Sequence, residues 1–270
     1  MLDTSHSSQV KLQRARGRGH IGVRRVGETV KVCDLHQSGC AKVMIPRAYG
    51  STTEAVFLNT AGGVTGGDEI AFSAEVGPSS ALSLTTQTAE RAYASTGAPG
   101  QVSIDLTVGQ DAHLNWLPQE TILFDRSNLR RKTRIDLLGE ATLLAIEIVV
   151  LGRAAMGETP KQFQLSDHRS IWRNGRPLWI DPLELDADVA AAAAGLGTAR
   201  AAVTLVYVGR DAEDKPRPHV PGLHSSAWDG RLVVRGAFAD LWPLKQALLP
   251  YLKTLKATID GGPLPRVWQM

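Results

Sequence analysis

The chain has 270 residues, 43% of them apolar and 21% charged, with a formal net charge of +3. That composition supports a sizeable packed core and excludes a disordered chain or a small disulfide-stapled one. A net charge so small gives no overall pull towards a polyanion.

Residues 1–16 collect Ser, Gln and Arg without periodicity and read as a flexible basic N-terminal extension; residues 17–270 read as a single domain. Lys11, Arg14, Arg16, Arg18, Arg24 and Arg25 come with no acid between them. Such a run is either a solvated face or a docking surface for an acidic partner. No charged segment followed by an apolar one opens the chain, so no secretory signal is visible and a cytoplasmic protein is expected. Cys33 and Cys40 are then two reduced thiols rather than a disulfide.

From there most of the chain reads in period two. "VGETVKVCDLHQSG" alternates through Val30, Val32 and Leu35, and "EAVFLNT", "DEIAFSAEVG", "SALSLTTQTAERAYAS" and "GQVSIDLTVGQDAHLNWLP" continue the pattern. "RKTRIDLLGEATLLAIEIVVLGR" adds two strands around a turn at Gly139, and "SIWRNGRPLWIDPLEL" reads as a hairpin closed by Asn174-Gly175. "DADVAAAAAGLGTARAAV" predicts a short alanine-rich helix stopped near Gly195. Residues 209–230, rich in Pro and Gly, read as a long connection. "ADLWPLKQALLPYLKTLK" aligns Leu244, Leu248, Tyr251 and Leu255 on one helical stripe behind an Asp240 N-cap, with a kink or break expected at Pro250. The fold class is therefore mainly β, a large stacked-sheet or β-helix-like scaffold with about two helices towards the C-terminus. The longest apolar run, "ATLLAIEIVVLG", carries Glu147 and falls short of the roughly 20 residues a membrane helix needs.

"LNTAGGVTGGDEIAF" tests for a nucleotide. Gly62 and Gly67 have the spacing of a phosphate loop, but Asp68 stands where the lysine must be, and a strand-like run follows instead of a helix. A phosphate site is excluded. Two readings remain: a tight turn with a bulge, or a turn that presents Asp68 and Glu69 at a narrow opening suited to a cation. No HExxH, CxxC, histidine cluster or G-x-S-x-G elbow occurs.

Glu147 shares a strand face with Leu143, Ala145, Val149 and Leu151, while Leu144, Ile146, Ile148 and Val150 line the other. Both faces look buried, so the carboxylate must be paired, protonated or beside water. Glu158 follows the same strand, and Glu120 follows a proline before the next one.

"NTAGGVTGGD", "TTQTAERAY", "WLPQETILFDRS", "GRAAMGE" and "LPRVW" occur in this order. Together they resemble the UreD (UreH) family of urease accessory proteins, over roughly Gly17 to Trp268. The resemblance implies a non-enzymatic β scaffold with no tightly bound cofactor. It also implies docking to apo-urease on one side and to UreF on the other, with the GTPase UreG beyond UreF. Nickel(II) in transit would pass through an internal hydrated tunnel to the urease active site. Asp68, Glu69 and Glu158 then become candidate tunnel residues through their motifs, with Glu120 and Glu147 added by the buried-charge reasoning. A conduit must hold nickel weakly, which dispersed carboxylates and water do better than a cage of His or Cys. The C-terminal helix and the segment Arg126–Arg134 are candidate contact surfaces, with Arg126, Arg130, Arg131 and Trp242 as their leading residues.

Two competing readings differ in what they require. A β-sheet carbohydrate-binding or carbohydrate-processing module would want exposed aromatic platforms, and only six Trp, four Tyr and five Phe are present. A nucleic-acid binder using the N-terminal arginines would show steeply salt-dependent affinity.

Overall fold

The computed structural model describes residues 13–46, 52–153 and 156–269. Most of the predicted basic extension, Lys11 included, lies outside them. Among the described residues seventeen strands, numbered in chain order, form two sheets. The first sheet contains β1 (Arg16–Val26), β2 (Thr29–Gly39), β5 (Glu69–Val76), β8 (Gly100–Val108), β11 (Ser127–Leu137), β13 (Phe163–Arg173) and β14 (Arg176–Asp186). Its spatial order is β14-β13-β11-β8-β5-β1-β2.

The second sheet contains β3 (Ala41–Met44), β4 (Thr53–Asn59), β6 (Ala81–Thr86), β9 (His113–Leu117), β12 (Thr142–Leu151), β15 (Ala201–Val208), β16 (Leu223–Trp228) and β17 (Arg231–Phe238). The short strands β7 (Glu90–Ala92) and β10 (Thr121–Leu123) attach to it beside β12.

From β4 to β13 the long strands alternate between the sheets, so β5, β8, β11 and β13 stack in parallel in one, and β4, β6, β9 and β12 in the other. Parallel pairing here comes from a coiling chain, with no crossover helices. The turns stack as well: the Gly109 N–H donates to the Val76 carbonyl, Leu138 to Val108 and Asn174 to Leu137. The Asn174-Gly175 hairpin forms as predicted, with φ of 50° and 75° at those residues.

Each sheet buries one face against the other. Ile70, Phe72, Ile104, Leu106 and Ile135 of the first meet Leu84, Leu114, Trp116 and Leu143 of the second. The Phe57 and Phe72 rings stack across the gap at 4.5 Å. The second sheet is covered on its other face by α2 (Leu241–Ile259). Strand β12 is therefore buried on both sides, and its two faces divide as the sequence indicates: Leu143, Ala145, Val149 and Leu151 towards the first sheet, Leu144, Ile146, Ile148 and Val150 towards the helix.

Two expectations, a break at Pro250 and an unstructured connection over 209–230, are corrected. Helix α2 runs unbroken through Pro250, because Leu248, Tyr251, Leu252 and Leu255 bury a continuous stripe that outweighs one lost backbone bond. Its N-cap is Asp240, whose carboxylate accepts from Leu241 N at 2.7 Å. The 209–230 connection contains strand β16, an edge strand whose Ser- and His-rich sequence lacks a clear apolar alternation. The alanine-rich helix α1 (Ala187–Ala191) spans 5 residues and ends before Gly195. Strand β1 has an obscured pattern too, since a Cβ at Gly17 would come within 2.3 Å of the Ala41 backbone nitrogen.

Candidate functional site

Strand alternation turns Arg130 and Lys132 of β11 outward and Arg131 inward, between the sheets. The parallel register sets Arg131 beside Asp167 on β13. Its Nε and Nη2 donate to Asp167 Oδ1 and Oδ2 at 3.0 and 2.5 Å, a two-pronged pair. Its Nη1 lies 2.9 Å from Glu147 Oε2 on the facing sheet and donates to Thr121 Oγ1 at 2.9 Å. Glu147 Oε1 accepts from the Trp116 indole N–H at 3.0 Å. Arg169, two residues along β13, continues the chain to Asp181 at 3.2 Å, and Asp181 meets Arg235 of β17 at 2.5 Å. A line of charges thus crosses the molecule between its two sheets.

Burial pushes the Glu147 carboxyl up, against the pull of the Arg131 charge. Burial acts the same way on Asp167, but the charge and hydrogen bonds of Arg131, helped by Arg169, hold its carboxyl below the usual range. Burial disfavours the Arg131 cation, yet Asp167 and Glu147 more than compensate and it stays charged. Beside the line is a cavity of about 20 Å³ whose lining includes Trp116, Thr133, Glu147, Arg169 and Trp179. Thr133 Oγ1 and Arg169 Nε are buried there without a hydrogen-bond partner among the described residues. The cavity's exposed surface is almost wholly apolar, with Trp116, Ile135, Ile171 and Trp179 in the lining.

Further along the same gap, Glu90 of β7 accepts from the Asn59 side chain at 3.2 and 3.3 Å. Burial pushes its carboxyl up to about 7, although Asn59, the Arg91 backbone and the charges of Arg131 and Arg91 all oppose this. Glu90 and Asp167 escape sequence reasoning because each sits in a polar-looking segment; only the in-out parity of β13 marks Asp167 as internal.

The remaining candidates are dispersed. Asp68 is 4% exposed and closes the glycine turn: Oδ1 accepts from Ala15 N at 2.8 Å and Oδ2 from Thr65 N at 2.9 Å. The turn needs its glycines, since a Cβ at Gly63 would lie 2.3 Å from the Tyr93 ring. Glu69, next in sequence, faces outward on β5 and lies 3.5 Å from Arg16. Glu158 accepts from Asp125 N at 3.2 Å and pairs with Arg153 at 2.6 Å, in a loop at the end of β12. Glu120 is buried and pairs with Lys245 of α2 at 2.9 Å, at an angle that makes it an ion pair rather than a hydrogen bond. Only Glu147 of the five stands on the charged line.

Among the candidate contact residues, Arg126, Arg130 and Trp242 are exposed, Trp242 at 68%. Arg131, at 6%, is buried and committed to Asp167 and Glu147, which removes it from any contact surface. Among the described residues no group of three or more His, Cys, Asp or Glu side chains could hold a metal ion, and no helix is long and apolar enough to cross a membrane.

The structure defines a class of protein built as a two-sheet coil with a line of paired charges between its sheets. Comparison with known proteins specifies it. Residues 15–269 match the UreD urease accessory protein family. The urease accessory protein UreD of Dinoroseobacter shibae is 45% identical over 267 residues, covering 96% of this chain and 94% of that one. That of Cereibacter sphaeroides is 46% identical over 268 residues, covering 96% of each. That of Rhizobium leguminosarum bv. viciae is 40% identical over 275 residues, covering 99% and 100%. The chain belongs to the UreD family of urease accessory proteins, with a part in urease maturation and not the catalysis itself.

Proposed function

We propose that this chain is a cytoplasmic scaffold that joins apo-urease to UreF, and through UreF to UreG, and that nickel(II) crosses it by the charged gap between its sheets. The observation that carries the reading is Glu147, a carboxyl group buried between the sheets, 2.9 Å from the Arg131 guanidinium and accepting from the Trp116 indole at 3.0 Å. Nickel(II) binds N, O and S donors strongly, so a passage must offer it weak and repeated contacts. Single carboxylates do this, and the guanidiniums of Arg131 and Arg169 compete for the same oxygens and shorten each stay. Glu147 and its neighbours on the line are the contacts we assign to the passage. Glu158 and Glu120, in the segments flanking β12, would serve its approaches, and Asp68 would serve it through the shape of the glycine turn.

Glu147→Gln tests this, since the amide keeps the size of the side chain and an acceptor for Trp116. Co-expressed with urease and its other accessory proteins, it should leave the complex intact and lower the nickel content of the urease. Normal nickel with an intact complex would remove Glu147 from the path.

A further inference from the structure

The outer face of the first sheet joins the two basic groups that are far apart in sequence. In register across four strands stand Arg16, Glu69, Gln101 and Arg130 and, two residues along, Arg18, Ala71, Ser103 and Lys132. Arginines of β1 form one wall and Arg130 and Lys132 of β11 the other. The small side chains of Ala71 and Ser103 make the floor. Three strand spacings of about 4.8 Å separate the walls, roughly 14 Å between backbones. The groove they enclose is open to solvent, with a volume of about 930 Å³.

Its charge is one-sided. Four permanent cations line it against a single carboxylate, Glu69, an excess as large as the +3 of the whole chain. Glu69 spans only to Arg16, at 3.5 Å, and the side chains of Arg18, Arg130 and Lys132 form no ion pair with a described residue. Further along the same face Asp105, Glu75 and Asp136 outnumber Arg134, which pairs with Asp136 at 2.6 Å, so the basic end is bounded.

We propose that this groove docks a carboxylate-rich segment of a partner protein. The spacing of the walls admits a helix of about 10–12 Å diameter or an extended strand carrying acids on both flanks. The groove has no Trp, Tyr or Phe in its lining and only the His36 imidazole as a ring, so it lacks the row of stacking platforms that single-stranded nucleic acid uses. Like charges left unpaired at such close quarters are relieved by an acidic partner, which also gains a fast, oriented encounter. The site lies on the outer face of the sheet whose inner face lines the charged gap, so it stands or falls separately from the nickel path.

Fluorescence anisotropy of the full chain with a labelled oligoglutamate peptide tests it, with an oligothymidylate of equal charge as the second probe. The peptide is expected to bind, more tightly than the oligonucleotide and less tightly as salt rises. The double reversal Arg18→Glu/Lys132→Glu should weaken it at least tenfold. The reversal Arg24→Glu/Lys253→Glu, at exposed sites outside the groove, should leave it unchanged. Thermal melts confirm that both variants fold. Absent peptide binding, preference for the oligonucleotide, or equal loss in the two variants would each overturn the proposal.

Discussion

Arg131 and Glu147 meet at 2.9 Å across the gap between the sheets, with both side chains 7% exposed. Glu147 comes from a strand that otherwise presents apolar residues to that gap, and Arg131 is held there by Asp167 as well. Paired burial of this kind adds little net stability, but removing one partner leaves the other as an uncompensated charge. Arg131→Met should therefore destabilise the fold by about 3–5 kcal/mol in urea titration, since it strands both Asp167 and Glu147. Adding Glu147→Leu to that variant should recover part of the loss.

Adjacent carboxylates in the glycine turn should behave oppositely. Asp68→Ala leaves two backbone N–H groups without their acceptor and is expected to cost about 1–3 kcal/mol. Glu69→Ala, on the exposed face, should stay within about 0.5 kcal/mol. Denaturation midpoints of the two variants measure the contrast.

Glu90 gives stability a pH dependence of defined sign. Its folded-state value of about 7 stands above the ordinary 4.5, so the native chain holds a proton that the unfolded chain has released. Its contribution is full below that ordinary value and is lost as pH rises through about 7. Glu90→Gln should remove this component, so that the variant gains on the wild type as pH rises from 5 towards 8. Melting temperatures across that range would show it; parallel curves would contradict it.

Pro250 is exposed within α2 and deprives the helix of one backbone donor. Pro250→Ala should restore that bond without disturbing packing and raise the melting temperature, by an amount equivalent to about 1–3 kcal/mol.

Much of this was legible locally. The double-faced burial of β12 and the need to pair Glu147 follow from alternation alone, as do the Asn174-Gly175 hairpin and the Asp240 cap. The identity of the pairing partner does not. Arg131 belongs to a run of basic residues that reads as surface, and its inward turn depends on the parity of β11. The parallel stacking of β5, β8 and β11 is likewise hidden, because strands about thirty residues apart share no local pattern that fixes their register. Asp68 shows the converse case. Its position after the glycines suggested a cation-facing carboxylate, whereas both oxygens accept backbone N–H groups and close the turn.

The most direct measurement is the nickel content of urease matured with the Glu147→Gln chain, alongside the amount of accessory complex recovered. Reduced nickel in urease from an intact complex is expected if the gap between the sheets carries the metal. Full nickel loading from an intact complex would contradict it.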